Sequence, residues 1–215
     1  SYKSIYFAYG SIKKMILLNY YWQFEGALSK QMCKRIIKLG LSKKAIKAAT
    51  GGSQAEKADA AGRKRDSSVA WLGNDWIYNS VHPSTHIANK NASWNYQWDW
   101  TEDIQFGIYK KNQFYGWHTD QGTEHANPNH NSLGKIRKLT STVQLSDPDT
   151  YEGGGIQLDP RNDDPELYKK KSFIDLSRKQ GTIICFPSHL WHRAMPVIKG
   201  TRYSLTLWHW GYPFR

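Results

Sequence analysis

In the stretch GWHTDQ, residues 116 to 121, His118 and Asp120 stand one residue apart just after a run of aromatics. A lone His-x-Asp pair is common in proteins and points to a metal only weakly; a third donor from elsewhere in the chain would make it a site. Two downstream histidines are candidates, His189 and His192 in FPSHLWHRAMPVIKGTRYSL, and spacing alone chooses neither. Two imidazoles and one carboxylate are the facial set that holds Fe(II) and leaves three positions open, two for a chelating co-substrate and one for dioxygen. Arg202 follows on the next strand, where its planar guanidinium matches a carboxylate through two parallel hydrogen bonds, and Ser204 on the same face adds a hydroxyl.

The elements that must position these groups read as short strands separated by turn residues. They are DIQFGIYK (103 to 110), KLTSTVQLS (138 to 146), GIQLD (155 to 159), SFIDL (172 to 176), GTIICF (181 to 186) and TRYSLTLWHW (201 to 210). Successive side chains on a strand face opposite ways. Leu139, Val143 and Leu145 therefore share an apolar face, and Thr140, Thr142 and Gln144 a polar one. Likewise Arg202, Ser204 and Thr206 oppose Tyr203, Leu205 and Leu207, which predicts a polar cavity lined by both strands. With the His-x-Asp segment and a strand or two upstream the total is about eight strands, enough for two packed antiparallel sheets in a jelly roll. YEGGGIQL reads as a hairpin turn whose glycines take positive φ, since no helix pattern and no Lys-Ser/Thr follow it.

Upstream, SKQMCKRIIKL (29 to 39) predicts an amphipathic helix capped by Ser29 and stopped at Gly40. Residues 42 to 68 read as a helix end followed by a solvated connection, and Arg63, Lys64 and Arg65 in it as a solvated charge run. Trp71, Trp76, Tyr78, Trp94, Tyr96, Trp98 and Trp100 read as core and groove lining in preference to a base-stacking platform. His125 and His130 fall in a loop dense in Asn, Gly and Pro, which reads as a cover over the metal and not as a zinc site.

A chain of 215 residues with 39% hydrophobic residues, 10 Trp and 13 Tyr has the material for a packed globule, which excludes disorder in bulk. The net charge of +12 predicts attraction to anions, whether an acidic substrate or nucleic acid. Cys33 and Cys185 read as two reduced thiols with no disulfide framework. No apolar run approaches the ~20 residues needed to cross a bilayer, so a soluble cytoplasmic protein without membrane partners is expected. Residues 1 to 14 read as an N-terminal extension ahead of Met15, and 15 to 215 as one domain.

Taken together, IQFGIYKKNQFYGWHTD, RKLTSTVQLSDPDTYEGGGIQL and FPSHLWHRAMPVIKGTRYSL resemble the Fe(II)- and 2-oxoglutarate-dependent dioxygenases, in particular the prolyl 4-hydroxylase-like branch that includes the PKHD-type hydroxylases. The resemblance runs from about Trp22 to the C-terminus. It implies a mainly β fold with flanking N-terminal helices, a double-stranded β-helix of the jelly-roll, cupin-like kind. It also implies that His118, Asp120 and His192 are the iron ligands, leaving His189 as a loop or groove residue. Arg202, ten residues after His192, would hold the far carboxylate of 2-oxoglutarate, with Tyr109 and Ser204 reaching the same co-substrate and Thr142 and Gln144 in the cavity wall.

The activity so implied is hydroxylation of a C–H bond with release of succinate and CO2, on a prolyl residue of a peptide or protein, with ascorbate as a possible further cofactor. An AlkB-like nucleobase demethylase is the enzyme alternative. That group carries a second arginine six residues after the first, where this chain has Trp208. A cupin-type module that binds a metal or sugar without turnover is the alternative from another class. Loops 50 to 68 and 121 to 137 are expected to set substrate choice. Oligomeric state is not legible.

Overall fold

The computed structural model describes residues 19–49, 64–122, 131–161, 164–167 and 172–213. Residues 1 to 14, Arg63, His125 and His130 lie outside them, as do parts of both loops expected to set substrate choice. Strands dominate: β1 (Trp22–Phe24), β2 (Ile46–Lys47), β3 (Arg65–Asp66), β4 (Ser68–Leu72), β5 (Trp100–Thr101), β6 (Ile104–Tyr109), β7 (Phe114–His118), β8 (Ile136–Gln144), β9 (Tyr151–Gly153), β10 (Ile156–Asp159), β11 (Ile174–Asp175), β12 (Ile183–Pro187), β13 (Trp191–Ala194), β14 (Val197–Gly200) and β15 (Arg202–Gly211). They are more numerous and shorter than the eight expected, because the two sheets are completed by two- and three-residue segments that carry little periodicity of their own.

A major sheet runs β1-β12-β8-β15-β6-β4-β2, with β5 also paired to β15; a minor sheet runs β11-β10-β13-β7-β3; β9 and β14 form a separate pair. The polar and apolar faces expected of β8 and β15 are both present. Leu139, Val143, Leu205 and Leu207 are fully buried, and Thr140, Thr142, Arg202, Ser204 and Thr206 line a cavity that residues of the minor sheet also line. The expected hairpin at YEGGGIQL does not form. Gly153 and Gly154 do take positive φ (74° and 64°), but β9 pairs with β14 while β10 pairs with β11 and β13, so the turn hands the chain from one sheet to another.

Two helices flank the strands. Helix α1 (Lys30–Leu41) starts where expected, with Ser29 Oγ accepting from the Met32 amide at 3.1 Å. It passes through Gly40 and is capped at Ser42. Gly40 serves packing instead: a Cβ there would lie 2.5 Å from the Phe106 ring, so the missing side chain lets strand β6 close on the helix. Helix α2 (Asp75–Asn91) was hidden in the aromatic cluster, because Pro83 interrupts its pattern. It buries Ile77, Val81, Thr85 and Ala88, spaced by three and four. Trp71 is exposed, and Trp76, Trp94, Trp98 and Trp100 are half-buried, so most of this cluster is edge and groove, less core than expected. No helix among the described residues is long and apolar enough to cross a membrane. Cys33 and Cys185 are free and buried, and burial pushes both thiols up to about 11.

A buried polar chain ties α2 to the back of the major sheet. Thr85 Oγ1 lies 2.8 Å from Ser141 Oγ, which lies 2.9 Å from His209 Nε2, and His209 Nδ1 is 2.9 Å from Thr101 Oγ1. Burial first, then the nearby His82 and His86, holds His209 well below the ordinary histidine range. The folded chain therefore favours neutral His209, whereas an unfolded histidine titrates near about 6.5. That contribution to stability is present above about pH 6.5 and is lost as pH falls below it. We expect the urea midpoint to drop between about pH 7.5 and about pH 5.5, with a smaller drop in His209→Asn. An equal drop in the variant would place the acid sensitivity elsewhere.

Candidate active site

The cavity between the sheets is built from alternate residues of several strands. His118 ends β7 and His192 lies on β13, and the two are cross-strand partners. Asp120 follows β7 in a tight turn held by Ser188, whose carbonyl accepts from the amides of Asp120 (2.8 Å) and Gln121 (3.0 Å). Donor atoms of His118, Asp120 and His192 all lie within 4.8 Å of one another, a spacing one metal ion can bridge. His192 Nε2 is 3.2 Å from Asp120 Oδ2, and His118 Nε2 is 3.6 Å from Asp120 Oδ1. His189 is exposed in the loop between β12 and β13 and is absent from this cluster.

The orientation of both rings is fixed from behind. The carbonyls of Gly116 and Leu190 can only accept, so His118 Nδ1–H and His192 Nδ1–H donate to them at 2.8 and 2.9 Å. Each Nε2 lone pair is left facing Asp120, as a metal ligand requires. Thr140 Oγ1 donates to Asp120 Oδ2 at 2.8 Å and is 3.0 Å from Ser188 Oγ. Burial, with His192 nearby, depresses His118 to about 4. Burial would raise Asp120, but the charge of His192 outweighs it and holds the carboxyl well below the carboxylate range. His192 is raised, because the Asp120 charge outweighs its burial. The cluster thus favours a positive charge at its centre, from a proton on His192 or from a divalent ion.

At the other end of the cavity Arg202 is 2% exposed. Its Nη2 donates to Gln144 Oε1 at 3.0 Å, its guanidinium carbon lies 5.3 Å over the ring of its cross-strand partner Tyr109, and its buried Nε has no hydrogen-bond partner. Gln144 therefore grips Arg202 and is not itself part of the wall. Tyr109, Thr142 and Ser204 do line the cavity, with the Thr142 hydroxyl donating to the Leu205 carbonyl at 2.9 Å. A buried guanidinium with no carboxylate partner among the described residues and an unsatisfied N–H is a receptor for an anionic group. A dicarboxylate reaching from the metal to Arg202 fits that demand.

Wall residues that the strand pattern did not single out include Trp208, Gln105, Tyr115 and Arg193, and Arg137 packs on the Trp208 ring beside them. Trp208 continues the inward series of β15, and Gln105 comes from β6. Tyr115 and Arg137 are delivered by irregular pairing. The β7 and β13 ladder has two residues of β7, Gly116 and Trp117, against one of β13, Arg193, between its paired positions, which brings Tyr115 onto the face of His118 with the rings stacked at 3.5 Å. A similar shift, in which His209 faces Leu139 and Trp210 faces Arg137, sets Arg137 over the Trp208 ring at 4.0 Å. Bulges of this kind re-aim side chains beside active sites.

The family model described as the 2OG-Fe(II) oxygenase superfamily matches residues 104–210, which hold every residue of the cluster and Arg202. This chain belongs to the 2OG-Fe(II) oxygenases. Within that family it is similar to the PKHD-type and prolyl 4-hydroxylase-like branch. A PKHD-type hydroxylase of Xanthomonas axonopodis pv. citri (strain 306) is 26% identical over 103 residues, 48% of this oxygenase and 41% of the relative. One from Synechococcus sp. (strain CC9605) is 31% identical over 94 residues, 44% of this chain and 35% of that one. The matches thus span about two fifths of the length of these relatives. Among solved structures, viral collagen prolyl hydroxylase from Paramecium bursaria chlorella virus-1 superposes with a TM-score of 0.60 at 21% identity, covering 89% of this oxygenase and 96% of that chain. A Pseudomonas putida prolyl-4-hydroxylase superposes with a TM-score of 0.56 at 14% identity, covering 89% and 92%. At these identities the superpositions speak to a shared fold.

Proposed function

We propose that this oxygenase hydroxylates a prolyl residue of a peptide or protein, using Fe(II) and 2-oxoglutarate, with ascorbate as the reductant that keeps the iron ferrous. In this reading the two sheets are the halves of a double-stranded β-helix, His118, Asp120 and His192 are the iron ligands, and Arg202 holds the far carboxylate of 2-oxoglutarate. The observation that supports it most is the pairing of a His-Asp-His cluster with a buried, carboxylate-free Arg202 across one cavity.

Iron and 2-oxoglutarate, when bound, supply the activation of dioxygen that places one oxygen atom in a C–H bond and releases succinate and CO2. The chain supplies placement. Gly116 and Leu190 carbonyls and the Thr140 hydroxyl fix the ligand atoms, while Gln144 and Tyr109 aim Arg202. Ser204 offers a hydroxyl along the co-substrate's length, Thr142, its proton given to the Leu205 carbonyl, shapes the wall, and Ile156 and Phe186 keep the cavity poor in water. Tyr115 and Trp208 present aromatic walls on which an apolar ring such as that of proline packs.

The reading is tested by succinate release against proline-containing peptides, free amino acids and methylated oligonucleotides. We expect turnover above the substrate-free rate only with the peptides, with a mass increase of one oxygen atom on proline. Turnover with the oligonucleotides instead would make the protein a nucleobase demethylase, and no turnover with any of them would leave a binding module.

A further inference from the structure

Beyond the metal and co-substrate groups, one buried charged side chain near the cavity has no use in the reading above. Arg65 was expected to be a solvated member of a basic run, but it is 3% exposed. It lies on the edge strand β3, opposite Tyr115 in register. Its Nε donates to Ser67 Oγ at 2.9 Å and its Nη2 to Gln105 Oε1 at 3.3 Å, and its guanidinium carbon lies 4.3 Å over the Tyr115 ring. Gln105 and Tyr115 both line the cavity, and Tyr115 stacks on His118. All of these partners are neutral; no carboxylate pairs with Arg65 among the described residues.

Buried charges in proteins are normally paired, because an uncompensated buried cation costs several kcal/mol in order-of-magnitude terms. Every other buried charge of the cavity finds its opposite once the reaction components are present, while Arg193, also on the wall, is only half-buried and donates to Gln157 Oε1 at 2.8 Å. Arg137 is paired with Glu102 at 2.7 Å. The far carboxylate of 2-oxoglutarate answers Arg202. Asp120 and the keto-acid carboxylate together answer the two charges of Fe(II). Arg65 is the buried charge left over, so the component that remains, the substrate, is the one to supply an anion. The chain's charge of +12 attracts the same class of partner over a longer range.

We propose that Arg65 is the counter-charge for a carboxylate on the substrate, so that the preferred peptide carries Asp or Glu next to the residue that is hydroxylated. This rests on the hydroxylase reading. The test is fluorescence anisotropy with short proline peptides flanked by Ala, by Asp or by Lys, on protein loaded with Fe(II) and 2-oxoglutarate without oxygen. The Asp peptide binds about tenfold or more tightly than the Ala peptide, the Lys peptide most weakly, and added salt narrows the spread.

Arg65→Gln removes the preference while binding of 2-oxoglutarate stays unchanged. Gln105→Glu leaves the guanidinium and its stack in place but supplies a carboxylate from within the fold, and it too levels the series. Equal affinities in the wild type, no binding of any acidic peptide, or a preference that survives Gln105→Glu overturns the assignment. Succinate formation on the same peptides reads the hydroxylase function separately. Selective binding without turnover removes hydroxylation and leaves the role of Arg65, whereas turnover with no charge preference does the reverse.

Discussion

His118→Ala and His192→Ala each abolish the weak visible band expected when the wild-type protein is given Fe(II) and 2-oxoglutarate without oxygen, whereas His189→Ala leaves it unchanged. His118 and His192 are each locked by an Nδ1–H bond to a backbone carbonyl, with Nε2 aimed at the proposed metal position. His189 is three residues away in sequence but exposed outside the cluster. The expected loss of iron affinity exceeds about a hundredfold, because loss of an outer partner alone costs about 10- to 100-fold. Thr140→Val, which removes such a partner from Asp120, is expected within that smaller range. Retention of the band in His118→Ala would remove the iron assignment. Loss of the band in His189→Ala would move the third ligand.

How much of this was readable from the chain depends on which residues the strand rule governs. Alternation alone separated Thr140, Thr142 and Gln144 from Leu139 and Val143, and Arg202, Ser204 and Thr206 from Leu205 and Leu207, and all of the polar set but Gln144, which sits behind Arg202, line the cavity. The pairing of His118 with His192 is a long-range fact that alternation cannot give; resemblance supplied it, and the ladder between β7 and β13 gives its physical basis. Tyr115 and Arg137 were missed for one reason. Each sits beyond a bulge, where one extra residue flips the side chain to the other face, and no periodicity announces where a bulge falls. Arg65 was misread for another: a basic residue in a charge run looks solvated, and only pairing of β3 with β7 buries it. Gly40 illustrates the converse, since its composition signal was right for a helix end by statistics but was overridden by the need to admit Phe106.

Arg202→Met weakens 2-oxoglutarate by about a hundredfold or more, since truncating one side of a buried charge pair costs about 2–5 kcal/mol and tenfold in affinity is about 1.4 kcal/mol. A second readout separates this from general damage. Before 2-oxoglutarate binds, Arg202 is a buried cation with an unsatisfied Nε and only an amide partner, so a methionine of similar length should leave the unliganded protein as stable as the wild type or more so. A ligand that binds the folded state raises the melting temperature in proportion to the logarithm of its concentration over Kd. The wild type therefore melts higher with millimolar 2-oxoglutarate and a divalent metal, and Arg202→Met does not. Gln144→Leu lies between the two, because it removes the acceptor that aims Nη2 and leaves the charge in place. Iron affinity without co-substrate stays constant through the series, because Arg202 and Gln144 make no contact with His118, Asp120 or His192. Equal stabilisation of Arg202→Met and wild type by 2-oxoglutarate would mean that its far carboxylate is held elsewhere.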